Sequence, residues 1–267
     1  MTARTSPAYA ALSTGHLVRE AVRHGRFHGI TSHVAGGYVQ ANLTIVPQVY
    51  ADAFCSYCQA NPRPCPLLAV GAPGEPWLPT LGDDVDVRTD LTRYLVFENG
   101  VEVAQVSDLT SLWRNDLVAV ALGCSFSFDH LLVEAGIPLR HLSRHSNVAM
   151  WRTTIATAPA APFHGPLVVS MRPMLREDIE RSVRITEGVP SAHGAPVHWG
   201  DPANLGIDDL STPHYGDPAP LEPGELPVFW PCGVTAQVAV QRARLPFAIT
   251  HAPGHMLVTD LPVGVAR

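Results

Sequence analysis

Apolar positions recur along this chain in short, separate runs, and their spacing assigns the elements. Leu17, Ala21 and Val22 share one face of a helix predicted over residues 13–23, which Gly25 stops. The Gly- and His-rich stretch 27–40 reads as loop, and residues 42–46 as a short strand. Tyr50, Phe54 and Cys58 recur every fourth residue and predict a second helix. It ends at Asn61-Pro62, because a residue before proline is pushed out of helical geometry. Residues 94–97 and 101–106 flank Glu98-Asn99-Gly100, a strong hairpin signal, since Asn and Gly tolerate the positive φ of a tight turn. Ser107 is placed to cap a helix through Leu112 and Trp113. Residues 117–122 are apolar on every side and fit a buried strand or a buried helix. A short helix to Gly136 follows.

Further along, residues 167–171 read as a buried strand. Met174, Leu175, Ile179 and Val183 mark an amphipathic helix, with Glu177 and Asp178 in the first turns where the helix dipole favours acids. Residues 186–225 are long and rich in Pro, Gly and Asp, as functional or mobile loops are. Residues 226–230, 236–244 and 247–250 form a strand–helix–strand series, which predicts parallel pairing. The expected fold class is therefore α/β: a mixed sheet with at least one parallel βαβ unit. An antiparallel hairpin region would add a second α+β lobe. One unit over 13–267 is expected, any smaller lobe lying around 70–160, with a loose N-terminus at 1–12.

Composition narrows the chemistry. Charged residues make up 16% of the chain, against a usual ~25%. All 18 basic residues are Arg, which removes Schiff-base and P-loop lysine chemistry. The net charge of −6, with no basic run, argues against a nucleic-acid partner. No apolar run approaches the ~18 residues of a membrane span, and the N-terminal residues lack an apolar signal core. Five cysteines show no disulfide framework, which fits a reducing, cytoplasmic setting. The expected partner is a small carboxylate or amino-acid substrate, and a homo-oligomer is compatible with this reading.

Candidate chemistry concentrates in three C-terminal segments, around His193–His198, Cys232–Gln237 and His251–Asp260. The His pairs are spaced as zinc ligands are, but Pro196 and Pro253 interrupt helical presentation, so metal binding, acid–base work and structural roles all stay open. Cys232 and Cys124 each follow a strand and precede a helix, where free N–H groups stabilise anions. Either is a nucleophile candidate or a small residue fitted under a loop. Cys55, Cys58 and Cys65 lack a fourth ligand nearby and read as packed thiols. Arg172 follows a strand and is a carboxylate-clamp candidate. Arg152 and Arg93 lie beside strand residues, and Asp90 is a proton-transfer candidate.

Several longer segments carry a family resemblance. They include Gly37-Tyr-Val-Gln-Ala-Asn42, Arg88-Thr-Asp90-Leu-Thr-Arg93-Tyr94, Gly123-Cys-Ser-Phe-Ser-Phe128, Gly165-Pro-Leu-Val-Val-Ser-Met-Arg172 and the three C-terminal segments. In these the chain resembles the D-glutamate cyclase family and its bacterial hydro-lyase branch, from about residue 13 to Asp260. It departs in having Gly36, Ala149 and Ala236 where members tend to have Pro, and His214 where they tend to have Asp. The resemblance implies an α/β enzyme that cyclises D-glutamate to 5-oxo-D-proline with loss of water. On that basis Arg172 or Arg152 would clamp the α-carboxylate, with Arg93, Thr235 and Asn42 as further substrate contacts. His193 or His251 would take the ammonium proton, backbone N–H groups over 232–235 would hold the oxyanion, and His255 or Asp90 would assist departure of water. A covalent variant would use Cys232 or Cys124. No metal or cofactor is expected. A binding protein for a small carboxylic acid and a metal-dependent hydroxy-acid dehydratase are the rivals.

Overall fold

The computed structural model describes residues 11–264, so residues 1–10 of the expected loose N-terminus lie outside the described residues. Helix α1 (Gly15–Arg23) is capped by Thr14, whose Oγ1 accepts from Leu17 N at 3.3 Å. It buries Val18, Arg19 and Ala21, while Leu17 stays 38% exposed. Ala21 and Val22 pack inward as expected, and Leu17 does not. Arg19 is buried beside them, its guanidinium bonded to Asp84, Asp260 and the Val258 carbonyl.

Strand β1 (Tyr38–Pro47) is longer than the spacing suggested and leads into α2 (Gln48–Ala60). Strands β2 (Leu67–Val70), β3 (Tyr94–Glu98), β4 (Val101–Val106) and β5 (Leu117–Gly123) follow. The β3–β4 hairpin turns on Asn99 and Gly100, both at positive φ, as expected. The helix expected after Ser107 does not form. Asp108 Oδ1 accepts instead from Thr110 N at 2.6 Å, an Asx turn that competes with helical bonding. Residues 117–122 are a strand with both faces covered. Val118, Val120 and Leu122 enter one core, and Leu117, Ala119 and Ala121 enter another.

Helices α3 (Phe126–Glu134) and α4 (Arg140–Ser143), then β6 (Ala149–Ala156), β7 (Pro166–Leu175) and α5 (Arg176–Glu187), complete the middle of the chain. The long loop holds only the short strand β8 (His198–Trp199) and single helical turns. After it come β9 (Glu225–Pro231), α6 (Val234–Ala243), β10 (Ala248–His251) and β11 (Leu257–Pro262). One sheet has the order β2-β5-β1-β10-β3-β4, with β11 also paired to β1; the other has the order β6-β7-β9-β8. Residues 70–160 are divided between the two.

The fold is mixed α and β, but the expected parallel unit is absent among the described residues: every strand pairing is antiparallel. Strands β9 and β10 belong to different sheets, and α6 carries the chain from one to the other. Its sequence shows why. Ala236, Ala239 and Val240 pack with Val46 and Phe54, while Val234 and Val238 pack with Met150 and Val168 of the other sheet. A helix apolar on two faces is an interior element, and not the one-sided cover of a parallel sheet. No described helix is long and apolar enough to cross a membrane.

Candidate functional site

Strand β1 and helix α3 lie side by side, and a cavity of about 190 Å³ opens beside them. The segment before β1 supplies Ser32 and His33, and β1 itself Gln40; α3 supplies Asp129 and His130; His145 follows α4. Val133 and Leu142 contribute apolar wall. Three polar atoms among these residues are buried without any hydrogen-bond partner: Ser32 Oγ, His33 Nε2 and Gln40 Oε1. Each such orphan costs about 1–3 kcal/mol. All three belong to residues that line this one cavity, and unsatisfied buried groups in a concave wall mark a candidate ligand site.

Gln40 is rigidly held. Its Nε2 donates to the carbonyls of Thr31 (3.0 Å) and Val34 (3.3 Å), and its backbone N–H donates to Ser127 Oγ at 2.9 Å. Only the amide oxygen remains free. The His33 ring lies 4.9 Å from that of His145. Burial, then the neighbouring His145 and His141, push His33 down to about 4, so it is neutral at neutral pH.

Asp129 links the cavity to a buried charge cluster. Its Oδ1 accepts from Arg172 Nε at 2.8 Å and its Oδ2 from His141 Nε2 at 2.9 Å. Burial by itself would raise this carboxyl, but Arg172 and His141 outweigh it and hold it below its ordinary value. Arg172 is buried too. It donates to Ser170 Oγ and Ser125 Oγ, both at 3.1 Å, and its guanidinium stacks 4.9 Å from the Phe128 ring centre and 5.4 Å from that of Trp230.

Of the residues singled out in the sequence, one group gathers where β5 and β9 turn into α3 and α6. Asn42 Nδ2 donates to Gly123 O at 2.5 Å, and a Cβ on Gly233 would lie 2.1 Å from that same nitrogen. Cys124 and Cys232 share one apolar cluster, with Cys232 Sγ 3.4 Å from Met150 Sδ. Burial pushes the Cys232 thiol up to about 11 and raises Cys124 further, although Arg172 acts the other way on both. Both are thiols at neutral pH. Thr235 Oγ1 accepts from Val168 N at 2.9 Å. His193, at φ 79°, donates through Nδ1 to Arg63 O at 2.7 Å, and burial lowers it to about 4. His251 Nδ1 sits 3.2 Å from Leu43 N and O, next to Asn42, while its Nε2 is buried without a partner; burial lowers it also to about 4.

Of the remaining residues, His255, Asp90 and Arg152 are held by other partners, although His255 is near enough to His251 to help lower it. His255 Nδ1 is 2.6 Å from Thr92 Oγ1, and burial followed by Arg93 brings it to about 4. The Arg93 side chain is exposed. Asp90 pairs with Arg23 Nε at 2.6 Å in the α1 ion cluster. Arg152 Nε donates to the Tyr215 hydroxyl at 3.0 Å, and its guanidinium lies over that ring. Among the described residues, no three His, Cys, Asp or Glu side chains are placed to hold a metal ion. The cavity residues Ser32, His33, Gln40, Asp129 and His145, and His141 behind Asp129, were not singled out by sequence. Gln40 lies within one quoted motif and Asp129 directly follows another, and that was the available signal.

Comparison with known proteins adds a second line of observation. The pattern of the family described as D-glutamate cyclase matches residues 118–260. A protein of Verminephrobacter eiseniae named "putative hydro-lyase" is 58% identical over 91% of this chain and 89% of its own length. Proteins of the same description from Methylobacterium radiotolerans and Bordetella petrii are 57% and 54% identical, covering 91% and 93% of this chain and 90% and 94% of their own. Among solved structures, a nitrogen repressor-like protein of Methanococcus jannaschii covers 95% of this chain and 99% of its own at 12% identity, with a TM-score of 0.41.

Proposed function

Since the chain belongs to the D-glutamate cyclase family, we propose that it is a hydro-lyase that removes water from D-glutamate, closing it to 5-oxo-D-proline, or from a related amino or dicarboxylic acid. The observation that carries this reading is that three residues lining one cavity, Ser32, His33 and Gln40, each hold a buried polar atom without a partner.

The reaction forms a bond from the amine nitrogen to the γ-carboxyl carbon and breaks a C–O bond there. The amine must first lose a proton, and the departing oxygen must gain protons. A neutral imidazole can do both in turn. In this mechanism His33 Nε2 takes one proton from the ammonium before attack and a second from the same nitrogen once the C–N bond has formed, and delivers each in turn to the departing oxygen, which leaves as water. Gln40 Oε1 accepts an amine N–H and so aims the nitrogen lone pair at the γ-carbon, and Ser32 Oγ donates to the carboxyl oxygen. Holding both ends of the substrate removes much of the entropic barrier to ring closure. The overall change is redox-neutral and leaves the proton count unchanged. Cys124 and Cys232, both held as thiols, support acid–base chemistry over a thioester intermediate.

The test is incubation of the purified protein with D- and L-amino acids and dicarboxylic acids, with water-loss products read by mass spectrometry. The expected result is 5-oxo-D-proline from D-glutamate, lost in His33→Ala. A wild-type protein that dehydrates nothing in the panel, yet is stabilised against heat by one member, would make it a binding protein instead. The low basicity of His33 is the observation that favours that second reading.

A further inference from the structure

We infer that the cavity selects ligands bearing a primary ammonium group, which the Asp129 carboxylate receives, with Arg172 and His141 as its positioning residues. The inference rests on the reading of this cavity as the ligand site, but does not require that the ligand be turned over.

The first support is charge. Asp129 lines the cavity while only 2% exposed, and it is the one group there held ionised by its own partners. No arginine lines the cavity. The donors of Arg172 go to Asp129, Ser125 and Ser170, and its faces are covered by Phe128 and Trp230. Its charge therefore fixes Asp129 from behind and offers no fork to a ligand carboxylate.

The second support is hydrogen-bond sense. An ionised carboxylate has about four acceptor positions, and the bonds from Arg172 and His141 use two. Gln40 adds a free acceptor, because its amide nitrogen is spent on the Thr31 and Val34 carbonyls. Ser32 Oγ and the neutral His33 add groups that can accept. An ammonium, with three donors and no acceptor, matches that set. A carboxylate in its place would set its charge against Asp129. The exposed His145, at the rim, is left for the acidic end of an amino acid.

The experiment is calorimetric titration of the full-length protein with 4-aminobutyrate and with glutarate, which are equal in length and differ at one end as ammonium against carboxylate. The expected result is at least about tenfold tighter binding of 4-aminobutyrate, as a desolvated charge-assisted bond would give. Asp129→Asn should erase that ratio. His141→Ala should lower it, and His141→Gln, which retains an N–H donor, should restore part of it; a merely structural role would weaken both ligands alike. Folding of each variant is checked by circular dichroism, and the wild-type ratio decides alone where Asp129→Asn does not fold. Binding of glutarate as tight as that of 4-aminobutyrate, binding of neither, or equal weakening of both by Asp129→Asn overturns the inference. Turnover of D-glutamate by a protein without this preference would sink the inference and spare the proposed activity. Amine-selective binding with no water-loss product would do the reverse.

Discussion

Replacing Arg172 by Met tests the reasoning about the buried charge cluster most sharply. Arg172 and Asp129 are 1% and 2% exposed, so the substitution leaves a carboxylate in the interior with His141 as its remaining side-chain hydrogen-bond partner. Breaking a buried pair in this way costs about 3–5 kcal/mol. Met keeps part of the apolar contact with Phe128 and Trp230 but forfeits cation–π attraction of about 0.5–1 kcal/mol per ring. At roughly 2–4 °C per kcal/mol for a chain of this size, the melting temperature should fall by about 10 °C. The pH dependence supplies the sign. In the wild type the Asp129 carboxyl is held below its unfolded value of about 3.9, so its contribution is full above that pH and is lost as the pH falls through the folded value. In the variant, burial dominates and the carboxyl rises above its unfolded value, so protonation relieves the buried charge. The deficit relative to wild type should therefore be greatest at pH 7 and shrink toward pH 4.5. Arg172 also helps to lower His193, so the comparison is made in a His193→Gln background, where that contribution is absent from both proteins. Adding Asp129→Leu to the variant should recover much of the loss. Urea melts at both pH values measure all of this. A deficit below about 1 kcal/mol at pH 7, or one equal at the two pH values, would refute the argument.

Four histidines, His33, His193, His251 and His255, are lowered to about 4. Unfolding near pH 5 should therefore take up about three to four protons, so stability falls as pH drops from 6.5 toward 4; a flat urea-derived stability across that window would contradict their burial as neutral rings. Turnover should fall on the acid side as His33 protonates near pH 4, and an acid limb that persists unchanged in His33→Gln would assign it to another group. Cys124→Ala and Cys232→Ala should each keep water-loss activity within about tenfold if no thioester forms, whereas abolition in a folded Cys232→Ala protein would restore the covalent route. Gly123→Ala would set a Cβ 1.6 Å from Ser191 O, below the loop that carries His193. That should destabilise by about 2 kcal/mol or more, and a loss under about 0.5 kcal/mol in a thermal melt would show that the loop gives way freely.

Much of the local structure was legible in the chain. Asn99-Gly100 specified its hairpin because the turn depends on those two residues alone. The α2 periodicity and the acids opening α5 likewise act within one element. What the sequence could not carry was the partner of each element. The apolar residues on α6 satisfy two sheets equally well as one, so β9 and β10 read as a parallel pair until the packing of Ala236 against Val46 and of Val238 against Val168 separated them. The site divides in the same way. Residue types and motifs marked Asn42, Arg172 and the His and Cys segments as chemistry. Which of their groups are satisfied and which are free depends on atoms far along the chain: Arg172 is consumed by Asp129, 43 residues off, while His251 Nδ1 is taken by the Leu43 backbone, 208 off, and its Nε2 is left without a partner. The sequence by itself determined the elements, the turn chemistry and the family. Only the tertiary structure decided that Ser32, His33 and Gln40 line one cavity and each keep a buried atom without a partner, because an orphan polar atom is defined by what does not reach it, and long-range packing alone settles that.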